Sequence, residues 1–305
     1  MSKEFANFER REDTSYERTW KRAETAALRL IRERFEVPKN PLDRMEYHVQ
    51  RHTHEVVHRA KKILAVLREL RLISEKEEAL GIVSAAFHDT VQEYDIVEEG
   101  SGDALAKKRV RRRGDNEDKS AEEAVMFLKG ENRHREDDEF GEADFTLVRN
   151  GIWSTFPAYD TKLGTVVQPR MRAHYSLAAR AVAMADLNGV GMEESENYMH
   201  EGDALFREEN IDVAESLANL DSLSPPRRDF LRSRMLGFTK IQISFAKGRE
   251  IAFKDDLAAF PAEARRRIEE LFPMFVANGL VAEEVYARRS KLSLEQLARD
   301  MGYDI

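Results

Sequence analysis

An apolar stretch that ends in two ionisable residues constrains this chain more than any other feature. Residues 80–87 carry almost only apolar side chains and are followed directly by His88 and Asp89. A helical stretch of this kind lies in a core, and a carboxylate there is unfavourable unless its charge is compensated. A bound metal ion is the simplest compensation, so His88 and Asp89 are the first candidate ligands.

A second carboxylate lies in a similar setting. Asp186 follows a largely apolar run that begins at residue 177. Asn188 and Gly189 come next, a pair that is typical of the end of a helix. We therefore expect Asp186 near the buried end of a helix, where it is a further candidate ligand.

A histidine-rich segment offers the remaining ligand. Residues 47–58 hold four of the chain's eight histidines, His48, His52, His54 and His58. Each helical residue advances by about 100°, which puts His52 at the edge of the apolar stripe and His54 and His58 on the opposite side. His48 falls between the two faces. Helical phase thus selects His52 as the inward-pointing histidine.

The same segment contains the pattern H-E-x-x-H, from His54 to His58. In metalloproteases this pattern places two zinc-binding histidines and a general-base glutamate on one helical face. Here that face is predicted to be solvated, so we interpret the match as a polar surface and not as a protease site.

Composition narrows the function classes. The chain has 305 residues and no cysteine, so a metal must be held by nitrogen and oxygen. A net charge of −8 argues against a stable nucleic-acid partner. There is no apolar run long enough to cross a membrane, and the first residues are too charged for a signal peptide. We expect a cytoplasmic protein without a membrane partner, and a homo-oligomer stays open.

Helical periodicity dominates the sequence and strand signals are scarce, which predicts an all-α fold. Two capping boxes, Ser74 with Glu77 and Ser293 with Gln296, mark helix starts. The expected helices are 16–35, 43–72, 75–94, 119–129, 143–155, 171–187, 192–220, 226–258, 261–278 and 293–301.

Two long connections interrupt these helices, at about 95–117 and 156–170. The first contains six cations in the seven residues 107–113. Lys and Arg donate charge-assisted hydrogen bonds to phosphate, although a solvated loop balanced by its neighbouring acids fits the composition equally well. The candidates for phosphate binding are Lys107, Arg109, Arg111, Arg112 and Arg113.

Four of these features, in this order along the chain, resemble a known family. His52, then His88 with Asp89, then Asp186 is similar to the ligand order of the HD superfamily of metal-dependent phosphohydrolases. The local contexts are closest to a branch of predicted HD phosphohydrolases with nucleotide-like substrates, over roughly residues 41–260. The matching positions are Tyr47-His48 with His52, Asn116-Glu117 with Ser120-Ala121, Ala185-Asp186-Leu187 with the glycines that follow, and Phe245 with Gly248-Arg249.

The resemblance implies an HD-domain helical bundle with a core at 41–209 and helical extensions at 1–40 and 210–305. It implies that His52, His88, Asp89 and Asp186 hold a divalent ion. Mn, Fe, Co, Ni or Zn suits such donors, and Mg stays open. The implied activity is hydrolysis of a small phosphate compound, in particular a nucleotide. His48 belongs with the candidate substrate-binding residues.

Two acids are candidates for general acid/base catalysis. Glu93 is one helical turn after Asp89 if the helix continues that far, which would place both on one face. Glu117 matches the branch's asparagine-glutamate pair, and the alternative for it is a cap at a helix N-terminus. The branch also follows a threonine like Thr155 with a histidine, which is missing here, and His174 is the candidate substitute.

Two other functions stay open at this point. An HD-fold di-iron oxygenase would need extra ligands, which His48 and His174 could supply. A non-catalytic scaffold would use the metal only to hold its helices together.

Overall fold

Helices form most of the chain. The computed structural model describes residues 14–40, 43–135, 139–171 and 174–305. A five-residue π-helix, Arg32–Glu36, extends the first α-helix. The α-helices are α1 (Ser15–Ile31), α2 (Gln50–Glu69), α3 (Glu75–Phe87), α4 (Asp115–Glu131), α5 (Glu142–Trp153), α6 (Leu177–Leu187), α7 (Gly189–Met192), α8 (Ser195–Glu209), α9 (Ile211–Leu217), α10 (Pro225–Ala258), α11 (Ala262–Glu269), α12 (Phe275–Arg289) and α13 (Leu294–Asp300).

The helix α3 is the centre of the core. It packs against α1, α2, α4, α5 and α6, and its residues from Ala79 to Phe87 are all buried. A helix that is apolar on every side is stable only when it is surrounded in this way. The apolar stretch of the sequence therefore becomes the central helix, and its last turn delivers His88 and Asp89 to the interior.

The C-terminal helices share this core. Ala246 and Phe253 of α10 and Ala282 of α12 lie in the same apolar cluster as Ala23 of α1 and Leu80 of α3. A second cluster joins α8, α9, the start of α10 and α13. None of the described helices combines the length and the apolar character that a membrane crossing needs.

The prediction of a helical protein is confirmed, but the structure adds two antiparallel hairpins that the sequence did not predict. The first pairs β1 (Tyr94–Glu99) with β2 (Ala106–Arg111), and Tyr94 lies opposite Arg111. The second pairs β3 (Ala158–Asp160) with β4 (Thr165–Val167). Both hairpins fall in the two segments that we expected to be irregular connections.

Several predicted helix limits were wrong. The helix predicted at 75–94 ends at Phe87, because the backbone N–H and the hydroxyl of Thr90 both donate to the Phe87 carbonyl, each at 3.1 Å. The helix predicted at 261–278 is two helices, since Pro273 cannot continue a helix. Residues 1–13 of the predicted N-terminal extension lie outside the described part of the chain.

Candidate metal centre

Three of the predicted ligands meet inside the protein. One ligand atom from each of His52, His88 and Asp89 lies within 4.8 Å of the others, and all three residues are buried. His52 belongs to the first turn of α2, and His88 caps the C-terminus of α3. The packing of α2 against α3 thus brings the two imidazoles together.

The fourth predicted ligand lies beside the two histidines of this group. Asp186 is the penultimate residue of α6, which packs against both α2 and α3. Its Oδ1 lies 3.6 Å from His52 Nε2 and 3.5 Å from His88 Nε2. Two imidazoles therefore face one oxygen of Asp186.

The two carboxylates are arranged alike. Asp89 turns Oδ2 to the imidazoles, 3.0 Å from His88 Nε2 and 3.5 Å from His52 Nε2. Its Oδ1 accepts hydrogen bonds from Gln92 at 2.6 Å and from Arg111 at 3.2 Å. In the same way, Oδ2 of Asp186 accepts from the amide of Gln168 at 3.1 Å. Each carboxylate keeps one oxygen for the centre and has the other held by a glutamine.

One of the two histidine rings is fixed from behind. His88 Nδ1 donates to the Ala85 carbonyl at 2.8 Å, whereas His52 Nδ1 lies 3.6 Å from a carboxylate oxygen of Glu201 and has no hydrogen-bond partner among the described residues. Nε2 of His88 is buried without a hydrogen-bond partner among the described residues, since its approach to Asp89 lacks the geometry of a hydrogen bond. Tying Nδ1 in this way is how proteins aim Nε2 at a metal.

The electrostatics of the group favour a positive charge at its centre. Burial opposes protonation of His88, but Asp89 and Asp186 outweigh it and raise the pKa of His88 to about 9. Burial likewise opposes ionisation of Asp186, yet the two histidines hold its pKa well below the usual range. The two carboxylates thus favour positive charge on His88. This buried group could therefore bind a metal ion, with nitrogen and oxygen donors that suit Mn, Fe, Co, Ni or Zn.

His48 lies beside this group. Its Nε2 is 3.9 Å from Asp89 Oδ2, and its Nδ1 is hydrogen-bonded to Glu208. The other oxygen of Glu208 accepts the backbone N–H groups of Glu46, Tyr47 and His48, at 2.8 to 3.1 Å. Burial opposes ionisation of Glu208, but His48 and these donors lower its pKa to about 2. Glu208 therefore locks the orientation of a buried imidazole next to the centre.

The basic segment 107–113 lies in β2 and in the two residues that follow it, and its cations have different partners. Arg111 reaches the centre and is bonded to Asp89. Lys107 lies 3.7 Å from Glu215 and 3.9 Å from Glu98. The guanidinium of Arg109 packs over the ring of Tyr94 and donates to the Arg44 carbonyl, Arg112 is bonded to Asp95 and Glu93, and Arg113 is exposed.

The helical face predicted to join Glu93 to Asp89 does not form, because α3 ends at Phe87, and a catalytic role for Glu93 stays a prediction. The side chain is largely solvated and bonded to Lys119 and Arg112, so it does not share a helical face with Asp89. Glu117 is buried and accepts the Gly114 backbone N–H, as the capping alternative expected. Burial opposes the charge of Arg111, but the carboxylates of Asp89 and Glu117 outweigh it and raise the pKa of Arg111. A catalytic role for Glu117 stays a prediction.

The described histidines His54, His58 and His174 lie outside the centre. His54 and His58 are exposed, and His54 Nδ1 lies 3.2 Å from Glu24, so the two histidines of H-E-x-x-H are solvated as predicted, whereas Glu55 between them is largely buried. His174 is exposed and its ring contacts Tyr175 at 4.7 Å. An extra metal ligand from His174 is not supported by this position.

Sequence reasoning missed several residues that surround the candidate ligands and His48. Gln92 and Gln168 lie outside helices, where periodicity gives no signal. Glu201 and Glu208 lie on α8 among other acids, and nothing in the sequence separates them from surface glutamates such as Glu196.

Comparisons with protein-family models, with curated proteins and with solved structures gave no match to this chain.

Proposed function

We propose that this protein is a metal-dependent phosphohydrolase of the HD type, acting on a phosphate ester or anhydride of a small molecule. One observation carries the proposal. Two imidazole nitrogens and two carboxylate oxygens converge in the interior, and the opposite oxygen of each carboxylate is held by a glutamine. The order of these ligands along the chain supports the HD type, and the resemblance described above is the basis for a nucleotide-like substrate.

The residues that would hold the ion are His52, His88, Asp89 and Asp186. When bound, a divalent ion supplies Lewis acidity, which lowers the pKa of water and neutralises charge on a phosphoryl oxygen. These four protein ligands leave a coordination position free on an ion that takes five or six, as a catalytic site requires.

Arg111 is the cation best placed to bind the phosphate. Its Nη2 is 3.2 Å from Asp89 Oδ1, while its Nε is buried without a hydrogen-bond partner in the described part of the chain. A guanidinium presents a planar fork of donors that matches phosphate geometry. Arg111 can therefore hold Asp89 with one edge and a phosphate oxygen with another.

Two measurements on purified protein test the proposal. The first is metal content and phosphate release over a panel of nucleotides, each with added Mn, Co, Ni, Zn or Mg. We expect His88→Ala to lose bound metal and at least 100-fold in phosphate release. In phosphate release, the variant His54→Ala, which changes an exposed histidine of α2, should stay within twofold of the parent protein. Absence of phosphate release with every metal, or equal activity of the two variants, would contradict the proposal.

The second measurement separates Arg111 from its neighbours. Arg111→Gln should raise the KM for phosphate compounds at least tenfold, because a charge-assisted contact is lost. Arg112→Gln is the matched control, since Arg112 is bonded to surface acids. Equal KM values in the two variants would remove Arg111 from the site.

A further inference from the structure

The hairpin β3–β4 is docked on α10 without room between them. The hydroxyl of Thr165 donates to the Phe245 carbonyl at 3.3 Å. Gly248 lies beneath the same strand, and a Cβ at that position would be 2.6 Å from Thr165 Cβ and 2.8 Å from the Leu163 carbonyl oxygen. Real Cβ atoms do not approach other atoms so closely, so a side chain at 248 would push the hairpin away.

The next residue of α10 fixes two further segments. Arg249 has no exposed surface. Its Nη1 donates to the Val166 carbonyl of β4 at 3.0 Å, and its Nη2 donates to Asn188 Oδ1 at 2.7 Å. Asn188 caps the C-terminus of α6, the helix that carries Asp186. An ion pair with Asp256 balances the buried guanidinium.

The hairpin and the helix end meet again at Asp186. Gln168 follows β4 directly, and its amide donates to Asp186 Oδ2. Because this oxygen is held, Oδ1 is left to face His52 and His88. Arg249 thus donates hydrogen bonds to both the β4 strand and the end of α6, the two segments that set the orientation of the Asp186 carboxylate.

We propose that Gly248 and Arg249 are positioning residues for the metal centre, which act through Gln168 and Asn188 to set the orientation of Asp186. This inference rests on the metal centre of the proposed function. Helix α10 begins at Pro225 and contributes no proposed ligand. The inference therefore gives this distant helix a role in orienting a ligand.

Cobalt binding to the whole protein tests the inference without any substrate. Visible absorption of bound Co²⁺ reports both affinity and coordination, so it responds to a turned carboxylate and not to stability alone. Loss of an outer partner of a ligand typically weakens metal binding 10- to 100-fold. We expect this range for Gln168→Ala and for Arg249→Met, together with a changed cobalt spectrum, and partial recovery in Arg249→Lys.

Arg265→Met is the matched control. Arg265 also donates to backbone carbonyls, those of Phe260 and Ala258, but at the far end of α10. It should lower the melting temperature and leave cobalt affinity within twofold. If Arg249→Met does not fold, Gly248→Ala takes its place, because it keeps the guanidinium and displaces only the hairpin.

The double variant Gln168→Ala with Arg249→Met gives a further test. Both residues act on one carboxylate, so the double variant should bind cobalt about as weakly as the weaker single variant. If the double variant instead lost cobalt affinity by the product of the two single losses, Gln168 and Arg249 would act on the metal centre independently.

Failure of the inference can be told from failure of the proposed function. If the parent protein binds cobalt and Arg249→Met and Gln168→Ala bind it equally well with the same spectrum, the inference is overturned and the metal centre stands. If the variants lose cobalt as expected but no phosphate compound is cleaved, the inference stands and the hydrolytic function falls. If the parent protein binds no cobalt, both fall.

Discussion

Two adjacent glutamates at the end of α8 show how strongly surroundings decide the behaviour of a side chain. Glu208 is held ionised by His48 and three backbone N–H groups. For Glu209, burial and the charge of Glu208 raise the pKa to about 7, against the lowering effect of Arg111 and other cations. The folded protein thus favours the ionised form of Glu208 and the protonated form of Glu209.

A pH-dependent gain in stability is expected for Glu209→Gln. The pKa of Glu209 in the folded protein, about 7, is above its ordinary value of 4.5. Its contribution to stability is therefore complete below pH 4.5 and is lost as the pH rises through 7. Glutamine never ionises, so the variant should be more stable than the parent protein at pH 8 by about 1–2 kcal/mol, and equal to it near pH 4.

Urea unfolding at the two pH values measures this difference. Glu284→Gln removes an exposed carboxylate and serves as the control. The assignment would be wrong if Glu209→Gln had the same effect at pH 4 and pH 8.

Among the secondary-structure elements, the π-helix Arg32–Glu36 connects two parts of the candidate site. The first residue of α2 is not capped by Val49, and Glu36 accepts the Gln50 N–H at 2.8 Å instead. Arg34 donates to the Thr90 carbonyl, just after Asp89, at 2.6 Å. The extra residue of a π-helix changes the direction of side chains, and such turns are frequent at functional sites. Here it ties the start of the His52 helix to the turn that carries Asp89.

We expect Glu36→Ala to destabilise the protein by about 1 kcal/mol, as the loss of a helix cap does, and to weaken metal binding because the turn with His52 frays. Glu33→Ala changes an exposed glutamate of the same π-helix and should do neither. Chemical unfolding and cobalt titration of both variants measure the two effects. Identical results for the two variants would rule out capping by Glu36.

Sequence reasoning succeeded in locating the candidate ligands that lie on amphipathic or buried helices. Helical phase separated the buried His52 from the exposed His54, and apolar runs located Asp89 and Asp186. It failed for the hairpins, since β2 carries mostly charged side chains and shows no apolar alternation. Gln168 follows such a hairpin, and its bond to Asp186 depends on tertiary packing that no local pattern records.

At the scale of the whole molecule, the segments expected to be extensions are parts of one interior. Apolar residues of α1, α10 and α12 lie in the same cluster as those of the central helix. The ends of the chain therefore contribute burial to the core that surrounds the site. The boundaries at 40 and 209 stay predictions.

A fragment of residues 41–209 tests those boundaries. It lacks α10 and α12. With them it loses the buried contacts of Phe253, Phe275 and Ala282, and the hydrogen bond from Arg249 to the Val166 carbonyl. We expect it to show no cooperative thermal unfolding and no cobalt binding, because exposing this much apolar surface costs more than the usual margin of stability. A fragment that melts cooperatively and binds cobalt would instead establish an independent core.

The solvated face of α2 has a practical consequence for preparing the protein. His54 and His58 stand one turn apart in water, a spacing at which neighbouring imidazoles can chelate one nickel ion. The untagged chain should therefore be retained by a nickel-chelating resin, and leached nickel would then inflate the stoichiometry attributed to the interior. With its net charge of −8, the protein can be purified by anion exchange instead, which exposes it to no added nickel.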